Sequence, residues 1–190
     1  TQRANAMSGE LNLPITDARF QPELARNTLQ LNRGDNTYAE IAQLAGVHAS
    51  EWTWASRFLD VDLDGHQDLI VTTGNESDVL DADMMGIVAN SPATRESHVQ
   101  NMMRFPRLET PNLIFRNGGD LRFSETGSEW GFGQVGISNG MAAGDLDNDG
   151  DLDLVINNLN APASMLDNIG SSSRIVLRLK GKAPNTKSVG

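Results

Sequence analysis

Asp60-Val61-Asp62-Leu63-Asp64-Gly65-His66-Gln67-Asp68 returns 85 residues later as Asp145-Leu146-Asp147-Asn148-Asp149-Gly150-Asp151-Leu152-Asp153. Carboxylates at positions 1, 3 and 5 of a tight loop converge on one point. Glycine at position 6 permits a sharp turn, position 7 offers its backbone carbonyl, and an aspartate at position 9 closes the shell. Hard oxygen donors in that arrangement suit Ca2+, which takes six to eight oxygens at roughly 2.3–2.6 Å. Four carboxylates so close together repel one another unless a cation lies among them. The residues pointing to an ion are therefore Asp60, Asp62, Asp64, His66 (carbonyl) and Asp68, and Asp145, Asp147, Asp149, Asp151 (carbonyl) and Asp153, with two Ca2+ sites expected.

Competing readings of the loops are weaker. Mg2+ prefers a small octahedral shell that retains water, and Zn2+ favours Cys and suitably spaced His. An EF-hand requires a bidentate Glu at position 12, where this chain has Val71 and Ile156. A cation-free Asp/Gly turn could explain one loop, but not two of equal spacing at equivalent points of a repeat.

Working outward, the same 85-residue shift places Asn27 on Asn112, Asn32 on Asn117, Gly34 on Gly119, Asp35 on Asp120, Glu40 on Glu125 and Gly46 on Gly131; from Asn27 to Asn75 it needs no gap and gives 13 identities in 49 pairs. Such self-similarity marks a repeat architecture. Each unit reads strand, turn, strand: Thr28–Leu31 and Thr37–Ile41 flank Asn32-Arg33-Gly34-Asp35-Asn36, and Leu113–Arg116 and Leu121–Glu125 flank Asn117-Gly118-Gly119-Asp120. Gly and Asn supply the positive φ such hairpins need. A further strand ends at Phe58-Leu59 or Ala142-Ala143, enters the aspartate loop and re-emerges as Leu69-Ile70-Val71 or Leu154-Val155-Ile156, apolar triplets suited to burial on both faces. Ala163–Asn168 reads as the start of a third copy of the first hairpin.

The expected organisation is a divergent excursion over residues 1–26, a first repeat over 27–76, an insertion over 77–110, a second repeat over 111–170, and a C-terminal segment over 171–190. Within the insertion a helix is expected from Pro92 to about Met103, with Ser91 as N-cap and Val99, Met102 and Met103 on its apolar face.

Composition narrows the function. The formal net charge of -10 opposes nucleic-acid binding, and eight of the 25 acidic residues occupy positions 1, 3, 5 and 9 of the two loops. Cysteine is absent, which excludes a disulfide framework and thiolate metal sites. No apolar run approaches the roughly 18 residues of a membrane span. The chain opens Thr1-Gln2-Arg3, without Met or a leader pattern, as expected of a piece of a longer polypeptide.

The D-x-D-x-D-G-x-x-D-L motifs, preceded by small residues such as Gly140-Met141-Ala142-Ala143-Gly144, resemble the FG-GAP/VCBS repeats of integrin α-subunit propellers and bacterial surface proteins. The turns at Asn32–Asp35 and Asn117–Asp120 resemble the N-x-G-D-G-x-F turn of those repeats, although Phe132-Gly133 is not followed by Gly-Ala-Pro. The resemblance covers roughly residues 27–168. It implies an all-β fold of propeller blades, about two of them and so a partial propeller, with a short helical or irregular insertion, and it puts the calcium ligands on the residues named above. Arg174–Gly181, with Asn185 and Gly190, looks like the opening strand of the ASPIC/UnbV domain that follows such repeats.

The function expected is a non-catalytic, calcium-binding repeat module, extracellular, cell-surface or periplasmic, mediating adhesion or another macromolecular interaction with a protein or glycan partner. Self-association through open blade edges is the other partner expected. The alternative is the propeller part of a secreted carbohydrate-active or other hydrolytic enzyme. Arg33-Gly34-Asp35 looks like an integrin-recognition tripeptide, but the repeat explains its Gly and Asp. Asn75-Glu76-Ser77 fits a glycosylation acceptor. Trp52, Trp54 and Trp130 are expected between blades, Asp81 and Asp83 in a solvated loop, and His48, His66 and His98 form no catalytic spacing.

Overall fold

The computed structural model describes residues 26–92, 94–173, 175, 177 and 180–184. It is mostly β, with 32% strand and 13% helix. The chain runs through β1 (Gln30–Asn32), β2 (Tyr38–Glu40), α1 (Ala42–Ala45), β3 (Thr53–Leu59), β4 (Asp68–Thr73), α2 (Ala82–Ala89), α3 (Arg95–Met102), β5 (Thr110–Pro111), β6 (Leu113–Asn117), β7 (Phe123–Glu125), β8 (Val135–Gly136), β9 (Ser138–Gly144), β10 (Asp153–Asn158) and β11 (Ser164–Leu166).

The strands form three successive antiparallel sheets, β1-β2, β3-β4-β6-β7 and β9-β10-β11, with a short β5-β8 ribbon beside them. The registers repeat. Gln30 faces Glu40 as Phe115 faces Glu125, and Leu59 faces Asp68 as Gly144 faces Asp153. Leu69 faces Phe115 as Leu154 faces Leu166, so β11 stands where β6 stands and the third hairpin copy begins where expected. Among the described residues no sheet closes on itself, in keeping with partial propeller blades.

The four-stranded sheet is sandwiched, as the period-2 alternation of its strands requires. Val71 and Phe115 point to one side, into a cluster with Ile41, Ala42, Ala45 and Val47 behind β1-β2. Ile70 and Ile114 point to the other, into a cluster with Leu59, Phe132, Leu154 and Ile156 shared with β9-β10-β11. Each aspartate loop joins the two strands of a hairpin, β3 to β4 and β9 to β10, so both lie at the same end of neighbouring sheets. At the far end a buried polar chain ties the sheets together. Asn112 Oδ1 accepts from Thr73 N at 3.0 Å, Asn112 Nδ2 donates to Ser138 Oγ at 2.9 Å, and Ser138 Oγ donates to Asn158 Oδ1 at 2.9 Å.

The insertion differs from expectation. Two helices occupy it, and the second begins at Arg95 rather than Pro92, with Thr94 as its cap: Thr94 Oγ1 accepts from Ser97 N while Ser97 Oγ accepts from Thr94 N. Ser91 instead donates to Ile87 O at 2.8 Å and finishes α2. The expected apolar face does not bury, since Val99 is 50% and Met103 83% exposed. The helix α2 is additional to the expected one; Asp81 is its N-cap, accepting from Met84 N at 2.8 Å, not a residue of a solvated loop. Reciprocal backbone bonds between Asn75 and Leu108, both 2.9 Å, close the base of the excursion. Residues 1–25 and half of the expected strand over 174–181, with Asn185 and Gly190, lie outside the described residues.

Of the tryptophans, Trp130 packs against the core shared by the two larger sheets. Trp54 does not bury between sheets: it is half exposed, its indole Nε1 donating to Gly74 O at 2.5 Å.

Candidate metal centres

The loops owe their shape to self-bonding aspartates. In the first, Asp60 accepts from the backbone N–H groups of Asp64 (3.0 Å) and Gly65 (2.9 Å), and Asp64 Oδ1 accepts from His66 N at 2.9 Å. In the second, Asp147 accepts from Asp149 N and Asp149 from Asp151 N, both at 3.1 Å. Short carboxylates favour such Asx turns. Left-handed backbone falls at positions 4 and 6 of both loops: Leu63 (φ 58) with Gly65 (φ 92), and Asn148 (φ 66) with Gly150 (φ 97). The glycine at position 6 is thus a steric requirement.

Position 9 reaches beyond its own loop. Buried Asp68 accepts from Val61 N at 2.9 Å through Oδ2 and from Asn117 N, in β6, at 2.9 Å through Oδ1. Its counterpart Asp153 accepts from Leu146 N at 2.7 Å and from Asn168 N at 2.9 Å. The turns that follow also match: Asn32, Asn117 and Asn168 each accept, through Oδ1, the N–H of the glycine two residues on.

This scaffold brings positions 1, 3 and 9 together in each loop. Asp60, Asp62 and Asp68 can each place one carboxylate oxygen within 4.8 Å of the others, and so can Asp145, Asp147 and Asp153. Asp64 and Asp149 at position 5 are not in those groups; their oxygens hold the backbone of position 7. His66 is exposed, its ring lying over Gly119, whereas Asp151 is buried.

The position-9 carboxyls are shifted in opposite directions in the two loops. Burial pushes the Asp68 carboxyl up, against the opposing pull of the Asn117 and Val61 N–H groups, with Asp62 and Asp64 adding repulsion. Asp153 is held down by the N–H groups of Asn168 and Leu146. Asp167, in hydrogen-bond reach of Asp153, is pushed up by burial and then by Asp147 and Asp153. Two residues that sequence reasoning passed over therefore belong to the sites. One is Asp167. The other is Arg116, whose Nε donates to Asp62 Oδ2 at 2.6 Å and whose Nη2 donates to Asp64 Oδ2 at 3.0 Å. Both precede the asparagine that bonds position 9, a signal that needs the strand register to be seen.

A divalent cation fits the first loop on an observation independent of the motif. Asp62 Oδ1 is buried and has no hydrogen-bond donor among the described residues, although Arg116 satisfies the other oxygen. With Arg116 already beside the carboxylate, Oδ1 remains as an acceptor that an ion could take. The donor set in both loops is carboxylate oxygen, which suits Ca2+ or Mg2+ before any softer metal.

With this geometry established, comparison with known families assigns the central part of the chain. Residues 106–156 match the family model described as FG-GAP-like repeat. The matching stretch runs from ahead of β5 through the Asp145–Asp153 loop and into β10, which supports an FG-GAP-like repeat there, and the sheet arrangement around it is consistent with propeller blades. A comparison with curated proteins finds no match. Among the described residues no helix is long and apolar enough to cross a membrane.

Proposed function

We propose that this chain is a calcium-stabilised, non-catalytic repeat module of an extracellular, surface or periplasmic protein, binding one Ca2+ in each aspartate loop and displaying its remaining loops to a protein or glycan partner. The carrying observation is duplication with geometry: in two consecutive sheets the same hairpin turn gathers carboxylates 1, 3 and 9 within 4.8 Å. Asp60, Asp62 and Asp68, and Asp145, Asp147 and Asp153, are the direct ligands in this reading. Asp64 and Asp149, with the carbonyls of His66 and Asp151, complete the shells.

The ion's role is structural. Each loop ends in an aspartate that already joins its hairpin to the next strand, so neutralising the loop secures two strand contacts at once. Extracellular modules can work with dissociation constants of roughly 10⁻⁴–10⁻³ M, matched to millimolar calcium. At about one to ten times the dissociation constant, each site adds about 0.4–1.4 kcal/mol to folded stability. Thermal melts in EDTA and in millimolar Ca2+ test this, with a higher Tm in calcium expected. Superimposable melts would defeat it.

A further inference from the structure

The turn that follows β11 touches both aspartate loops. Asn117 and Asn168 stand at equivalent places. Each donates its backbone N–H to the position-9 aspartate of the loop before it, Asp68 or Asp153, at 2.9 Å, and each accepts through Oδ1 the N–H of the glycine two residues on. Their side-chain amides then diverge. Asn117 Nδ2 donates to Gln67 O at 3.0 Å, in the loop whose aspartate it already holds. Asn168 Nδ2 donates to Val61 O at 2.8 Å, 107 residues back and in the other loop. Because Oδ1 is committed to Gly170 N, the partners fix the orientation of this amide. Four residues on, Ser172 Oγ donates to Asp62 O at 2.8 Å, so the same turn is pinned to position 3 of the first loop. Val61 completes a continuous path, since its own N–H donates to Asp68 Oδ2 at 2.9 Å. Three hydrogen bonds therefore run from Asp153 through Asn168 and Val61 to Asp68. The two end members are at most 2% exposed, and each is one of the three carboxylates gathered in its loop.

We propose that Asn168, assisted by Ser172, is a positioning residue that couples the two loops, so that Ca2+ held in one raises the affinity of the other. This rests on the calcium reading above. An ion in the first loop fixes the backbone at Val61 and Asp62, and with it the two carbonyls on which the turn 168–172 seats. A seated turn holds Asn168 N–H against Asp153 and so sets the last carboxylate of the second loop before an ion arrives. By linkage, the reverse step is equally large. The element with two arrangements is this turn, seated or unseated. Two ordinary hydrogen bonds cross from it to the first loop, which puts the coupling at about tenfold in affinity. Direct repulsion between two cations acts the other way, so a favourable coupling reports the contacts and not the charges.

Calorimetric titration of Ca2+ into the full chain, stripped of ions and held at about 0.15 M salt, tests the coupling. Asp60→Asn and Asp145→Asn each disable one loop and give the affinity of the other alone. The product of the two association constants of the unmodified chain should exceed the product of those single-site constants about tenfold. Ser172→Ala should reduce that ratio and Asn168→Ala should bring it towards one, each measured with the same two disabling substitutions. Hydrogen exchange needs no change in the turn and decides the matter even if Asn168→Ala misfolds. In the Asp145→Asn chain, saturating calcium at the first loop should still raise the protection of the Asn168 N–H. A ratio of one or below, a ratio unmoved by both turn substitutions, or exchange at Asn168 indifferent to calcium in Asp145→Asn would overturn the inference while leaving calcium binding intact. Absence of any calcium heat in the unmodified chain would instead overturn the calcium reading, and this inference with it.

Discussion

Asp68 Oδ1 accepts the backbone N–H of Asn117, 49 residues further along the chain, at 2.9 Å, so the last carboxylate of the first loop also bolts β4 to the end of β6. Its Oδ2 accepts the N–H of Val61 at 2.9 Å, so both oxygens are engaged by backbone donors. Replacing this buried side chain strands two donors. Asp68→Ala should therefore cost about 2–3 kcal/mol even in EDTA, measured by urea denaturation. Asp145→Asn should behave in the opposite way, with stability in EDTA unchanged or slightly raised as repulsion eases, and the calcium-dependent gain in Tm lost.

Gly119 carries φ +78, and a Cβ there would lie 2.7 Å from His66 Nε2. Gly65, at φ +92, has open space around it. Gly65→Ala should cost only the backbone penalty of about 1–2 kcal/mol. Gly119→Ala should cost more than that, and the excess should disappear in a His66→Ala background. Equal costs for Gly119→Ala with and without His66 would show that the ring moves aside freely.

Ile70 and Ile156 are 0% and 1% exposed and face each other's sheet within one cluster. Truncation leaves a cavity that neither sheet can close, because both are fixed by their ladders. Ile70→Ala and Ile156→Ala should each cost about 3–4 kcal/mol in denaturant unfolding. As neighbours in one cluster, their effects should be non-additive in the double variant.

Glu40 Oε1 accepts the N–H of Ala42 at 2.8 Å and of Leu29 at 3.4 Å, and Arg26 lies 3.3 Å from Oε2. The Ala42 bond foremost holds its carboxyl below the ordinary glutamate range. A depressed folded-state pKa means stabilisation present above the unfolded value, about 4.3, and lost as pH falls through the folded one. Glu40→Gln should lower Tm near neutral pH, and the gap from the unmodified chain should close as acidification protonates Glu40 in the folded state. A gap independent of pH would assign the effect to shape rather than charge.

Much of the architecture was legible because it is written in short-range pattern. Aspartates at alternate positions followed by Gly65 or Gly150 mark the bends, and Leu69-Ile70-Val71 and Leu154-Val155-Ile156 mark strands covered on both sides. The tripeptide Arg33-Gly34-Asp35 is a hairpin turn, with Gly34 at φ +79 and Asp35 bonded back to Thr37 N at 3.0 Å. What stayed hidden depends on which strands meet. β4 pairs with β6 across the whole helical excursion, and only that pairing carries Arg116 to Asp62 and Asp64. Asp167 is hidden for the same reason. The helix Ala82–Ala89 carries a weak sequence signal, since Gly86 interrupts the apolar run that follows Asp81.

The sheet β3-β4-β6-β7 takes its first pair of strands from one sequence repeat and its second pair from the next. Successive repeats are thus stitched through shared ladders rather than stacked as separable beads, and loosening one must fray its successor. The helical excursion sits inside that stitch, yet Asn75 and Leu108 knot its base. Loop closure grows costlier only slowly with length, so this segment can lengthen, shrink or change its helices at little thermodynamic cost. One residue added between Asp60 and Asp68 would instead break the spacing that gathers Asp60, Asp62 and Asp68. Tolerance to changes of length is therefore expected in the excursion and not in the nine-residue bends.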